Sequence, residues 1–292
     1  MIFHSVDVKG CTTEVTLCPI GDIQWNGDED EVWLSGLKSH LKTCLESPHP
    51  LFIGMGDYID FASPSNRARI LGSQLYKGPR DAFQRQAKTL VREVRDLLAG
   101  TKGKWIGLLS GHHLWEFDND TDGRNSDIML ARLLDAPYLG FGGAVCRIRF
   151  LNNGPRNHRD VWIWAHHGCG GGQKSYSPLT KLETVASSYE GIDIFLMGHH
   201  TKKAHVPMQK MGPVIKWDGT MQFGHRDVHL VGTGGWSKGY MESTVKRVEE
   251  PSYVEKRIMN PVALGAPIIH IRPRWQDSHR YRTWAPNIKT EV

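Results

Sequence analysis

The sequence predicts an α/β fold in which layers of strands and helices pack against one another. Short apolar runs typical of buried strands alternate along the chain with segments whose apolar residues recur at helical spacing. Continuous apolar strands that alternate with amphipathic helices are typical of sheets covered by helices. The composition, 39% hydrophobic and 23% charged over 292 residues, is that of a folded protein and excludes a disordered or collagen-like chain.

Strands and helices are predicted to alternate in the first half of the chain. The strands are residues 15–21, 51–55 and 105–109, and the helices are residues 31–46, residues 80–99 and a helix that starts near Ser126. Gly100 is predicted to end the second helix, because glycine readily adopts the left-handed conformation found after a helix. Ser126 is predicted to be the N-cap of the third helix, since its hydroxyl can accept a hydrogen bond from a free N–H of the first turn.

The second half is predicted to be richer in strands. The predicted strands are residues 146–150 and 161–165, which form a hairpin, and residues 192–197, 228–231 and 268–271. We expect one domain over residues 1–235, with residues 236–292 as a C-terminal extension packed on it.

Charge and cysteine content restrict the environment. A net charge of +5 is compatible with a polyanionic partner but does not require one. The 5 cysteines are odd in number and form no Cys-x-x-Cys pair, which favours buried reduced thiols. No apolar stretch approaches the ~20 residues that span a bilayer, and no signal peptide is recognisable. We therefore expect a cytoplasmic protein with no membrane partner.

Polar residues follow the predicted strands in five places. These runs are Gly21-Asp22-Ile23-Gln24, Gly56-Asp57, Gly111-His112-His113, His166-His167-Gly168 and Gly198-His199-His200. The carboxyl ends of strands in an open α/β sheet form the crevice where ligands bind, so these side chains are predicted to converge. Carboxylate, amide and imidazole ligands together suit first-row transition metals better than calcium or magnesium.

The order and spacing of these runs resemble the calcineurin-like metallophosphoesterase superfamily. Its signature is Asp-x-His, Gly-Asp, Gly-Asn-His-Asp/Glu, a histidine at a strand end, and Gly-His-x-His. The resemblance covers about residues 15–235. It implies a two-sheet sandwich flanked by helices, in αββα layers, and a centre of two divalent metal ions such as Mn, Fe, Ni or Zn.

The resemblance also implies a role for each matching residue. The implied metal ligands are Asp57 as the bridging carboxylate, Asp22 and Gln24 at the first ion, and His112, His199 and either His166 or His167 at the second ion. Alignment by the strand end favours His166, whereas alignment by the following glycine favours His167. His113 matches the family's catalytic histidine.

Three positions depart from the signature. Gln24 replaces a histidine, His112 replaces an asparagine, and Thr201 stands where the last histidine is expected. Since Gln24 and Thr201 both belong to the first site, we expect that site to bind its ion more weakly than the second. His200 or His205 would have to supply the missing imidazole.

The expected function is hydrolysis of a phosphoester, with a phosphodiesterase or nuclease favoured. A phosphomonoesterase and a non-catalytic metal-containing binding module are the alternatives. The glycine-rich segment after His167 and the cation of Lys174 are predicted to contact the substrate phosphate, although a flexible connection explains the glycines equally well.

Two charged regions bear on partners. The first is a row of cations along residues 67–95, and the second is a set of arginines mixed with aromatic residues along 272–284. Both suit contact with nucleic acid, and an ordinary solvated surface would explain either region equally well. Four acidic residues follow His113, and they are Asp118, Asp120, Asp122 and Asp127. They lack the spacing of a calcium loop and are predicted to form a solvated acidic loop.

Overall fold

Two β-sheets pack face to face, with helices on both outer sides. They are seen in a computed structural model that describes residues 1–9, 14–118, 121, 123–151, 158–172, 174–215, 219–240, 253–273 and 286–292. The α/β fold class predicted from the sequence is confirmed at the level of a helix-covered sandwich of two sheets.

The first sheet contains six strands. In spatial order they are β1 (Ile2–Lys9), β6 (Ala144–Leu151), β7 (His158–His166), β8 (Ile194–Met197), β10 (Met221–Thr233) and β9 (Lys203–Ile215). The strands β7, β8 and β10 run parallel, so that their carboxyl ends lie at one edge of the sheet.

The second sheet also contains six strands. In spatial order they are β12 (Asn287–Glu291), β11 (Ile268–Arg272), β2 (Val15–Ile20), β3 (Pro50–Gly54), β4 (Trp105–Leu109) and β5 (Tyr138–Gly140). The strands β2 to β5 are parallel, whereas β11 pairs antiparallel with β2 and places Ile269 opposite Leu17. Part of the segment after residue 235 is therefore built into this sheet.

Helices cover both outer faces. The described helices are α1 (Leu34–Glu46), α2 (Pro64–Gly72), α3 (Lys77–Leu97), α4 (Ser126–Leu133), α5 (Ser177–Ser188) and α6 (Tyr253–Lys256). Helices α1, α3 and α4 pack on the second sheet, and α5 packs on the first. None of these helices combines the length and the apolar character needed to cross a membrane.

The largest apolar layer between the sheets receives side chains from both. Leu17 and Ile53 come from the second sheet, and Ile148 and Ile163 come from the first. Strands β2 and β4 are buried along their whole length, because one face meets the other sheet and the opposite face meets the helices. This double burial explains why these strands are continuous apolar runs in the sequence.

Two predicted helix ends are wrong. Helix α3 ends at Leu97, and Gly100 lies inside a 3₁₀ turn, Ala99–Thr101, that continues the chain. The N-cap of α4 is Asn125, whose Oδ1 accepts hydrogen bonds from two N–H groups of the first turn. Ser126 is instead the first helical residue, and its hydroxyl accepts a hydrogen bond from the Trp115 N–H at 3.0 Å.

The predicted strands are confirmed with small shifts, and 105–109 matches β4. The elements that were not predicted from the sequence are β1, α2, β5, α5, α6, β9, the first half of β10, and β12. Free thiols are found at the four described cysteines. Three of them are buried as predicted, but Cys169 is exposed and Cys11 lies outside the described residues.

Truncating the layer between the sheets should destabilise the protein strongly. Ile53 is fully buried there, so Ile53→Ala removes apolar contacts and leaves a cavity. We expect the free energy of unfolding, measured by urea titration followed by circular dichroism, to fall by about 2–5 kcal/mol. Met211→Ala is the control, because that side chain is 70% exposed. Equal losses in both variants would contradict the placement of the core.

Candidate metal centre

The five polar runs meet at the carboxyl ends of the parallel strands. The loops after β2, β3 and β4 carry Asp22, Asp57 and His112, and the loops after β7 and β8 carry His167 and His199. Both sheets thus deliver donors to the same edge of the sandwich, as expected for a ligand crevice.

Several of these residues adopt a backbone conformation that side chains other than glycine rarely adopt. Asp22, Gln24, Asp57, His199 and Thr201 all have positive φ, between 48° and 65°. Each such conformation costs of order 1 kcal/mol, and these conformations tend to cluster at functional sites. The strained turns therefore mark this edge independently of the side-chain chemistry.

Hydrogen bonds hold the turns together. The Asp57 Oδ1 atom accepts from the His113 N–H at 2.9 Å, and the Asp22 Oδ2 atom accepts from the His199 N–H at 2.9 Å. The Gln24 N–H donates to the Asp57 carbonyl at 2.9 Å. A side chain at Gly111 would collide with the Asp57 carboxylate, so glycine is required there. Each loop thus depends on its neighbours for its position.

Four side chains converge closely enough to hold one metal ion. Asp57, His112, His167 and His199 each present one donor atom, and these atoms all lie within 4.8 Å of one another. No other cluster of this kind occurs within the residues that the structure describes. A metal site of the predicted ligand types is thus available, and these four residues are the ones implied for the second ion.

Backbone carbonyls fix the orientation of two of the imidazoles. The His167 Nδ1 atom lies 2.6 Å from the Met55 carbonyl oxygen, and the His199 Nε2 atom lies 3.0 Å from the Gly170 carbonyl oxygen. Since a carbonyl only accepts, each of these nitrogens carries the proton. The opposite nitrogens, His167 Nε2 and His199 Nδ1, are left with lone pairs that point into the cluster, as metal-binding histidines require.

The lone pair of His167 faces another acceptor, whereas that of His199 faces a ring nitrogen that donates to it in the matching tautomer. His167 Nε2 lies 3.2 Å from Asp57 Oδ2, and both atoms are buried without a hydrogen-bond partner among the described residues. His199 Nδ1 lies 3.2 Å from His112 Nδ1. Buried acceptors that face one another need a cation or a proton between them. The residues therefore fit a metal ion.

The pKa values show the same demand for positive charge. Burial alone would lower the pKa of His167, but the Asp57 carboxylate outweighs burial and raises it to about 9. Burial works the other way on Asp57, and His167 holds the pKa of that carboxyl well below its usual range. Burial, together with the charge on His167, lowers the pKa of His199 to about 4. Without a metal, one proton on His167 would have to balance the buried carboxylate.

The residues implied for the first ion lie outside this cluster. Asp22 is fully buried, and its Oδ1 atom has no partner among the described residues, while burial raises its pKa to about 7. Gln24 is half-buried. An unpaired buried carboxylate oxygen suits a second cation. Among the described residues, however, three or more titratable donors come together only in the four-residue cluster that contains Asp57.

His200 and His205, the candidates for the imidazole missing at Thr201, do not join the four-residue cluster. A Cβ placed on Gly172 would lie 3.5 Å from the His200 ring, which places that ring against the glycine-rich loop. His205 lies 3.0 Å from His229, Nε2 to Nδ1, and the two rings stack. Both side chains are outside the four-residue cluster.

His166 also lies outside the cluster. Its ring stacks on Trp164 with centroids 5.6 Å apart, and its Nδ1 atom accepts from the Gly168 N–H at 2.8 Å. Of the two adjacent histidines left open by the sequence, the structure brings His167 to the other donors.

His113 lies beside the cluster and has a partner that the sequence reading missed. Its Nδ1 atom is 2.9 Å from Asp60 Oδ1, and its Nε2 atom is 4.0 Å from Asp57 Oδ2. Burial lowers the pKa of His113, but the two carboxylates outweigh it and raise the pKa overall. The signal for Asp60 was a second aspartate three residues after Asp57, in the same strand-end turn.

A second missed residue, Arg67, comes from α2. Its guanidinium donates to the carbonyl oxygens of His112, at 2.9 Å, and Leu114. Arg67 was predicted as one of several surface cations. The structure shows that it fastens the loop that carries His112 and His113.

The glycine-rich segment is held mainly through its carbonyl groups. Lys181 donates to the carbonyl of Cys169, and Lys202 donates to the carbonyls of Gly172 and, at 3.0 Å, Lys174. The ammonium of Lys174 lies 5.7 Å from the centre of the Tyr176 ring. Contact of Lys174 with a phosphate stays a prediction.

The predicted solvated acidic loop is wrong for Asp127. This residue is 2% exposed, and its Oδ2 atom accepts from the Gly111 N–H at 3.2 Å. Burial raises its pKa to about 6. Asp127 therefore supports the turn that carries His112, whereas Asp118 is exposed and Asp120 and Asp122 lie outside the described residues.

Of the two basic regions, the first lies on described helices, whereas most of the second lies outside the described residues. Helix α3 exposes Arg85 and Arg92 to solvent. Arg272 donates a hydrogen bond to Glu14, and residues 274–285, which hold the rest of the basic aromatic tail, lie outside the described residues.

We found no match to this chain among protein-family models, curated proteins or solved structures. The resemblance to the calcineurin-like metallophosphoesterases accordingly rests on the five motifs.

The paired histidines permit a matched test of metal binding. His167→Asn should weaken the binding of Mn²⁺ by more than about tenfold, because even outer-shell changes cost 10- to 100-fold. His166→Asn should bind Mn²⁺ as the unchanged protein does, since that ring faces Trp164. Isothermal titration calorimetry on both variants measures this difference. Retained affinity in His167→Asn with loss in His166→Asn would show that the wrong histidine has been assigned.

Proposed function

We propose that this protein is a metal-dependent phosphoester hydrolase that binds divalent first-row transition-metal ions at the four-residue cluster. The observation that carries the proposal is the convergence of donor atoms from Asp57, His112, His167 and His199 within 4.8 Å. Carbonyl groups that accept from two of the imidazoles support ion binding, because they leave the opposite ring nitrogens available as ligands.

The donors would divide between two ions. The four clustered residues would hold the second ion, and Asp22 and Gln24, together with Asp57, would contribute to the first. When bound, such ions lower the pKa of a water molecule and neutralise charge on the phosphoryl group. The incomplete donor set beside Asp22 supports the expectation that the two ions bind with unequal affinity.

His113 is the proposed general acid. Its Nδ1–H group donates to Asp60, so Nε2 is the nitrogen available at the edge of the cluster. The raised pKa keeps the imidazole protonated to higher pH than an isolated histidine. The Nε2–H group can then donate its proton to the oxygen of the departing alcohol as the phosphorus–oxygen bond breaks.

A phosphodiester is the proposed substrate class, and a nuclease is one form that this activity would take. The arginines mixed with aromatic residues along 272–284 of the sequence favour this class, and the exposed cations of α3, such as Arg85 and Arg92, are compatible with a nucleic acid. A phosphomonoesterase is the alternative that the substrate comparison below distinguishes.

Turnover of bis(p-nitrophenyl) phosphate in the presence of Mn²⁺ tests the proposal. On a dinucleotide, whose sugar alkoxide needs a proton to leave, we expect His113→Ala to lower kcat by roughly 100- to 10,000-fold, the usual contribution of a general acid. His225→Ala is the matched control, because His225 is exposed on β10. p-Nitrophenyl phosphate, assayed in parallel, should be the poorer substrate.

Two results would count against the proposal. Absence of turnover with Mn, Fe, Ni and Zn would favour a non-catalytic metal-binding module. Equal activity of His113→Ala and the unchanged protein on the dinucleotide would exclude His113 as the acid.

Replacing the partner of His113 should change the pH profile. Asp60→Asn removes the carboxylate that raises the pKa of His113, so the pKa falls. A general acid is active below its pKa, and activity is lost as pH rises through it. The basic limb of the kcat profile should therefore move to lower pH. An unmoved limb in Asp60→Asn, with Asp118→Asn as the control at an exposed aspartate, would contradict this role.

A further inference from the structure

Phe141 is an exposed aromatic residue beside the metal cluster. It lies between β5 and β6, and 53% of its surface is accessible. Its ring centre is 5.7 Å from that of His112, with the two planes at 80°. An apolar ring of this size left open to water forgoes the stabilisation that burial would give. Its position at the rim of the site suggests a use for that surface.

The surrounding chain leaves space beside the ring. Phe141 is preceded by Gly140 and followed by Gly142 and Gly143. A Cβ placed on Gly142 would meet no described atom within 4 Å, so this side of the loop is open. A Cβ placed on Gly140 would lie 3.2 Å from the side chain of Ile2, which closes the other side. The exposed phenyl group therefore borders open space next to the cluster.

The geometry relates Phe141 to whatever is attached to a bound phosphate. His112 is one of the four donors that converge, and its ring edge contacts the Phe141 ring. A phosphoryl group held at the cluster would therefore place its ester substituents within a few ångströms of Phe141. A planar aromatic substituent can stack on such a ring, and stacking tolerates different bases because every base has a π-face.

We propose that Phe141 is a specificity-determining residue that stacks on a planar aromatic substituent, such as a nucleobase, of the bound phosphoester. This inference rests on the proposed function, because it places the phosphoryl group at the cluster. It assigns to the β5–β6 loop a preference for nucleotide-like ligands over phosphates with small alkyl groups.

Binding of one phosphoester that carries an aromatic base and of one that carries only a small alkyl group tests the proposal. Adenosine 5′-monophosphate and methyl phosphate are titrated by calorimetry into the Mn²⁺-loaded full chain. Phe141→Ala should weaken adenosine monophosphate at least about fivefold, the lower end of the stacking contribution, and leave methyl phosphate within about twofold. Phe141→Leu, which keeps an apolar side chain without a π-face, should fall between.

The control is Phe223→Ala, which truncates another exposed phenylalanine, on β10, and should leave both affinities unchanged. Metal content and thermal unfolding of each variant check that the fold and the cluster are retained. Equal weakening of both ligands, no change in either, or no preference of the unchanged protein for the nucleotide would each overturn the proposal. The expected binding pattern without any turnover of bis(p-nitrophenyl) phosphate would support stacking and count against hydrolysis.

Discussion

A carboxylate buried where two sheets end has to be balanced by positive charge, since an isolated ionised group removed from water costs many kcal/mol. Asp57 is 1% exposed and accepts a single N–H on one oxygen, while its other oxygen faces His167 Nε2 at 3.2 Å. The Met55 carbonyl occupies the protonated side of the same imidazole. Either a proton added to His167 or a metal ion can meet this requirement, and a metal ion would draw on donor atoms of all four clustered residues at once. The arrangement of the surrounding histidines follows from this one demand.

The backbone is arranged to bring these groups together at some cost. Non-glycine residues in the left-handed region are individually unfavourable, and five of them lie in the turns that follow β2, β3 and β8. The turns are tied to one another by the N–H groups that the two aspartates accept. Gly111 allows the closest approach, because any side chain there would meet the Asp57 carboxylate. The stability of the sandwich supports this local strain.

The sequence predicted the layered fold and the region of the site because both are local signals. Buried strands read as apolar runs, and polar donors follow directly where each strand ends. The choice between His166 and His167 depends on the carbonyl of Met55, a residue that directly follows β3, and no spacing along the chain encodes that contact. Strand β9 and the first half of β10 escaped prediction because the outer part of this hairpin is exposed, and no buried apolar run marks it.

Asp127 is a residue whose burial could not be predicted from its neighbours in the sequence. A run of acidic residues resembles a solvated loop when only composition is considered, but one member is needed inside to accept the N–H of Gly111. Asp60 was similarly hidden, although its spacing after Asp57 could have suggested a partner for a nearby histidine. Both residues act on the site through another group, and such indirect roles depend on tertiary contacts.

Because β11 pairs with β2, the first strand-end loop of the site depends on residues much further along the chain. Leu17 faces Ile269 across this ladder, and the Trp236 N–H donates to the Asp22 carbonyl at 2.9 Å. Until β11 has been synthesised, the edge of β2 that it covers is open, and an open strand edge can pair with strands of other chains. The support that Trp236 and β11 give to the loop with Asp22 is therefore in place only after these later residues have been synthesised.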